Sequence, residues 1–182
     1  MAACGGGDDG AAEPSTAATT DGGGTNAEAG TTTGAPPTTE TTTDDAEAAI
    51  LAAVDGYYAS FITVNSPPDP DHPELERFRT EAVLELAREN VQDRSDLGQA
   101  IRLPEKSRST HQAIVVSVSG SSAVVDVCSV DDSVLYDVAT GVLLNDAVKT
   151  FAVQFHLKST DSWRVVETVE QGRWDGVSTC DG

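Results

Sequence analysis

Basic and aromatic residues are scarce in this chain. Of 182 residues, 11 are Lys or Arg against 30 Asp or Glu, giving a formal net charge of −19, and aromatics make up only 5%. A nucleic-acid binder neutralises phosphates with Lys and Arg, so this balance argues against nucleic acid as a partner. It argues equally against electrostatic docking on an anionic membrane. No apolar run approaches the roughly 20 residues that a spanning helix needs; the best, Ala48 to Val54, is seven. Only three His occur, and none is spaced from another for metal binding. Ser-His-Asp and phosphate-loop signatures are absent. The length allows one ordinary domain.

The scarcity is uneven. Residues 1–43 hold no Lys, Arg, His or aromatic residue and no Val, Ile or Leu. Such a segment has nothing to bury against its ordering entropy, so it is expected to be a disordered tether. A coil of that length reaches roughly 35 Å. Residues 44–182 carry all eleven basic residues and all nine aromatics, with 24 acids. That is close to the commonest domain size, and large enough to bury a core without metals.

Periodicity organises the domain. Asp44 followed by Glu47 reads as a capping box. Ile50, Val54, Tyr57, Tyr58, Phe61 and Ile62 then predict a helix over 44–64, weakened at Gly56. Asn65-Ser66-Pro67-Pro68-Asp69-Pro70 ends it. A second helix is predicted from Pro73 to Gln92, capped by Asp71 or His72, with Arg77 and Arg79 on its wet face. From Gly98 the period becomes alternating. Strands are expected over 99–103, 110–119 (through Ile114, Val116 and Val118), 123–130, 133–137, 148–158 and 163–170, and the last ten residues as coil. Trp163, Val165 and Val169 are expected to share a face. Helices followed by hairpin-linked strands make an α+β domain, with helices covering one side of a mostly antiparallel sheet.

This order resembles the cone-shaped nuclear transport factor 2-like fold of ketosteroid isomerases and SnoaL-like cyclases. More narrowly, the domain is similar to a family of exported actinobacterial lipoproteins that carries no assigned activity. The resemblance rests on Gly56-Tyr57-Tyr58-Ala59-Ser60-Phe61 and on Asn65 through Leu75. It continues in Asp126-Val127-Cys128 with Asp131-Asp132, Thr140-Gly141, Trp163-Arg164-Val165 and Cys180. It implies a curled sheet with the first helix across its concave face, and an extracytoplasmic address. Ala2-Ala3-Cys4-Gly5 resembles the end of a bacterial lipobox, with Met1 where Leu is usual. The charged and apolar regions of a signal peptide do not precede it in this sequence. Lipid on Cys4 would anchor a tail that has no membrane affinity of its own.

If Cys4 is lipidated, Cys128 and Cys180 remain as a pair that an oxidising compartment would join. The alternative is two separate thiols, with Cys128 a small buried residue.

Chemistry is harder to find. Asp126, Asp131, Asp132 and Asp137 lack the Gly and Glu of an EF-hand loop and read as a solvated turn. An enzyme of the isomerase, cyclase or dehydratase kind would use Asp126 or His111 as base, and Tyr57, Tyr58 or Tyr136 as donor. The inward faces are expected to be apolar instead, with Tyr58, Phe61, Phe151, Phe155 and Trp163 lining the cone. His156 is expected on the outer face. The expectation is a non-enzymatic, lipid-tethered domain without metal or cofactor, binding an envelope protein or a small apolar ligand. A homodimer through the exposed sheet face is a further partner to consider.

Overall fold

The computed structural model describes residues 43–180. Cys4 and the expected tether lie outside these residues, apart from Thr43, which is already helical.

Three helices precede seven strands. Helix α1 spans Thr43–Val64, and Asp44 and Asp45 lie inside its first turn. Asp44 therefore complements the helix dipole instead of capping the helix as the sequence suggested. Ile50, Ala53 and Val54 are buried on one face. They pack against Val125 and Val127 of β3 (Ser122–Asp131), Phe155 and Leu157 of β6 (Lys149–Ser159), and Val165 of β7 (Trp163–Asp175). Each large apolar side chain buried here contributes about 1.5–3 kcal/mol. Further along α1, Val64 joins a smaller cluster with Leu75 and Val91.

The single helix expected over 73–92 is two. α2 spans Pro73–Phe78 and α3 spans Glu81–Asp96. The side chain of His72 caps α2, accepting from Glu74 N–H through Nδ1 at 3.2 Å. Arg79 and Thr80 between the helices are extended. The cause is tertiary. Arg79 is 3% exposed, not on a wet face. Its backbone bridges Val165 in parallel, and Thr80 N–H donates to the Val165 carbonyl at 3.1 Å. A continuous helix would tie up these backbone groups and turn the arginine outward.

β2 (Thr110–Ser119), β3, β6 and β7 form one antiparallel sheet in the order β2-β3-β6-β7. β1 (Gln99–Arg102), β4 (Val134–Asp137) and β5 (Leu143–Asn145) form a second, in the order β1-β4-β5. The architecture is thus α+β, with helices packed on antiparallel sheets. β5 has no counterpart in the sequence reading, because three residues are too few to display a period. β7 runs five residues past the expected Glu170, pairing Trp174 with Thr150 and Asp175 with Lys149.

Parity and bulges set which side chains of β2 and β7 face inward. Ile114, Val116 and Val118 are exposed, and the partly buried residues of β2 are His111, Ala113 and Val115. Register shifts in the β6–β7 pairing put Thr168 opposite the inward Phe155 and Val169 opposite Gln154. Val169 therefore leaves the face it was expected to share with Val165, and is 37% exposed. The acids are not one solvated turn either. Asp132 is buried and accepts from Ser107 Oγ (2.7 Å), Ser109 Oγ (2.6 Å) and Arg108 N–H. Burial alone would raise its pKa, but these bonds outweigh that and hold it below the usual carboxylate range.

A disulfide joins Cys128 on β3 to Cys180, with the Cα atoms 5.7 Å apart. The segment after β7 is also pinned by bonds from Thr150 Oγ1 to the Gly176 carbonyl (2.8 Å) and from Ser178 N–H to Thr150 Oγ1 (3.0 Å). The bridge closes a loop with a sequence separation of 52, for which chain entropy alone gives about 4 kcal/mol as an upper value. C128A/C180A is expected to lower the thermal midpoint by more than 5 °C and to abolish the shift that reductant causes in the parent. Differential scanning calorimetry with and without reductant checks both.

Gly56 was expected to weaken α1. Its role is contact: a Cβ there would meet Phe78 Cε1 at 2.1 Å. Gly56→Ala gains about 1 kcal/mol of helix propensity against an overpacking cost of about 1–3 kcal/mol. The expected net effect is loss of stability, with G56A/F78L recovering part of it. Denaturant midpoints of the two variants test this.

Candidate functional site

A half-open cleft of about 520 Å³ lies between α1 and the four-stranded sheet. α1 presents Asp55, Tyr58 and Ile62, spaced to share one side of a helix, with Phe61 beside them. β2 contributes His111, β3 Ser129 and Asp131, β6 Phe151, Val153 and Phe155, and β7 Thr168 and Glu170. On each strand these residues alternate by two, so the pleat turns them to one face.

The wall nearest α1 is a stack. The Tyr58 ring lies parallel to His111 at 4.5 Å and to Phe155 at 5.9 Å, with interplanar angles of 12°. Tyr57 meets Phe155 edge-on at 4.9 Å. His111 Nε2 is 2.7 Å from Asp55 Oδ1. In this geometry Nε2–H donates to the carboxylate. Burial pushes the Tyr58 phenol up to about 12; a hydrogen bond with Ser129 works against this, while Tyr57 and Asp131 add to it. The cleft therefore holds a phenol that keeps its proton at neutral pH, a histidine ring oriented by the Asp55 carboxylate, and the side chains of Asp131 and Glu170. Among the described residues no group of three His, Cys, Asp or Glu side chains could hold a metal ion.

Of the residues singled out from sequence, Tyr57, Tyr58, Phe61, His111, Phe151 and Phe155 do line this cleft. Asp126 does not: it is exposed and accepts from Gln154 Nε2 at 2.9 Å. Its alternation with the buried Val125 and Val127 sends it to the opposite face. His156 also faces outward, opposite Val124 and Glu167. Trp163 packs at the edge of the main core, and Tyr136 lies on the other sheet under Arg102, 4.6 Å from its ring centre; neither lines the cleft. Asp55, Ser129, Asp131 and Glu170 were not anticipated as site residues. Asp55 could have been found, because it precedes Tyr58 by three residues on a helix. Ser129 could have been found from its parity with Val127.

The Tyr58 shift fixes a sign. The unfolded phenol titrates at 10.0 and the folded one near 12. The fold thus retains a proton that the unfolded chain loses. Stability is unaffected by Tyr58 below pH 10 and falls as pH rises between the two values. An alkaline titration of tyrosinate absorbance should show a last step near pH 12 that Tyr58→Phe removes.

No family model matches the chain, and no curated protein matches it. Among solved structures, the intermembrane space region of the chloroplast protein ARC6 is similar in fold, with a TM-score of 0.51 at 17% identity, covering 65% of this chain and 91% of that one. A de novo β-sheet design, at 13% identity, covers 73% of this chain and 93% of that one with a TM-score of 0.35.

Proposed function

We propose that the folded domain is a nuclear transport factor 2-like cone carried on a lipid anchor outside the cell membrane, and that its central cleft binds a small, mostly apolar ligand without transforming it. The observation that carries this reading is the aromatic lining of the cleft. Tyr58, Phe61, Phe151 and Phe155 face one space of about 520 Å³, which lies in the usual size range for ligand pockets. Flat aromatic walls with a few polar groups at the rim favour an apolar body and orient it loosely.

The address is supported by the cysteines. Cys128 and Cys180 are joined, a state that oxidising compartments favour. Cys4 is the remaining thiol, free to take lipid in the resemblance to a lipobox. The cone is supported by the order of helices before hairpin strands and by α1 lying against the four-stranded sheet.

One observation favours a second reading, an isomerase-, cyclase- or dehydratase-type enzyme. His111 is held by Asp55 at 2.7 Å beside the Tyr58 ring, as a general base would be.

Binding of prodan, a neutral naphthalene dye, tests the apolar-ligand reading. The expected result is saturable fluorescence enhancement that Phe151→Ala weakens about tenfold and His111→Ala weakens less than threefold. Absence of saturable binding overturns the apolar-ligand reading. Peptide mass spectrometry of the protein from its native host tests the anchor, with a diacylglycerol-modified Cys4 at the mature N-terminus expected and an unmodified Cys4 counting against it.

A further inference from the structure

A second cleft, of about 330 Å³, lies on the other side of Tyr57 and Phe61, between α1, α3 and β7. Its walls are largely apolar, with Phe61, Val83, Leu86, Ala87 and Val166 among them. Two arginines, Arg79 and Arg94, line it as well.

Their surroundings are unusual for so acidic a chain. Arg77, Arg88, Lys149, Lys158, Arg164 and Arg173 each pair with a carboxylate. Arg102, Lys106 and Arg108 are exposed to water. Arg79 is buried and Arg94 half-buried, and among the described residues neither forms an ion pair. Arg79 donates from Nη1 to Ser60 Oγ at 2.7 Å and from Nη2 to the Tyr57 carbonyl at 3.0 Å. Arg94 donates from Nη1 to Asn65 Oδ1 at 2.9 Å and to the Asn90 carbonyl at 3.1 Å. Every one of these acceptors is neutral. Asp93 favours the charged form of Arg94 through space without pairing to it. Burial pulls both guanidinium pKa values below the ordinary arginine value.

The two cations share one side of α1. Arg79 stacks over Tyr57 at 4.0 Å and Arg94 lies over Phe61 at 5.8 Å. Those rings are four residues apart, one turn on the same helix face. A buried charge that meets only neutral acceptors is under-compensated, and an anion supplied from outside would complete it. A guanidinium has five N–H donors in a planar fork that fits a carboxylate, and Arg94 uses only Nη1 here. Glu167 also lines the cleft, which disfavours a doubly charged anion and selects a single negative charge.

We infer that this second cleft binds a monocarboxylate with an apolar body, its carboxylate held by Arg94 and Arg79 and its hydrocarbon laid along Phe61, Leu86 and Val166. The site does not depend on the central cleft being a ligand site.

The test is calorimetric titration of the full chain with octanoate, octanol and acetate. Octanoate is expected to bind at least tenfold more tightly than either analogue, since one lacks the charge and the other the chain. Arg94→Gln is expected to weaken octanoate at least tenfold, while Arg108→Gln, the same charge change on the exposed surface, leaves it unchanged. Arg94 is chosen because Arg79 also holds the fold. Three results would overturn the inference: octanoate and octanol binding alike, no octanoate binding at all, or octanoate binding that survives R94Q. If it survives R94Q and is lost in F151A, the carboxylate belongs to the central cleft instead.

Discussion

The guanidinium of Arg79 is the point at which helix and sheet are tied together. It reaches α1 through Ser60 and the Tyr57 carbonyl, stacks on the Tyr57 ring, and holds its own backbone against Val165 of β7. A buried charge with these neutral partners tolerates little displacement, because any donor pulled away is left unsatisfied in an apolar setting. The break between α2 and α3 follows from that constraint. So does the position of Tyr57, which is fixed between Arg79 on one side and Phe155 on the other.

α1 therefore serves as a wall common to two clefts. Tyr57 and Phe61 appear in the lining of both. The helix can carry functional side chains on two sides because its buried anchors change along its length. Ile50, Ala53 and Val54 grip the main core, and Val64 grips the small cluster with Leu75 and Val91. Between them Gly56 lets the Phe78 ring approach the helix backbone, which brings α2 close enough for Arg79 to reach across. The glycine that costs α1 helical propensity is what permits the contact.

The parts of this arrangement that were legible in the sequence were those written in a local period. α1, the hairpin from β2 to β3 and the core of β6 follow from apolar spacing, and the inward parity of Ala123, Val125 and Val127 holds in the structure. Tertiary contacts were not legible. The extended Arg79 and Thr80 sit inside a strong helical pattern and are set by Val165, far away in the chain. The β6–β7 register shifts turn Val169 outward, though its spacing from Val165 places it inward. The same limit applied to the central cleft. Aromatic walls could be inferred from helix and strand parity, whereas the Asp55–His111 pair joins residues 56 apart in sequence, and Asp126 stood out only as an acid on a strand.

The polar pair at the rim of the central cleft has a structural meaning beside any chemical one, and its exposure bears on both. The Asp55 side chain is 71% exposed and the His111 side chain 25%. A carboxylate that open to water exerts a screened field on its partner. A catalytic acid–base pair works best where water is excluded and each charge acts at low dielectric. Asp55 instead fixes the rotation of the imidazole so that its plane lies parallel to Tyr58 at 4.5 Å. That stack continues through Tyr58 to Phe155 and extends the aromatic wall to the cleft mouth. The pair thus shapes the mouth of the central cleft, and the Tyr58 hydroxyl is engaged with Ser129 within its lining.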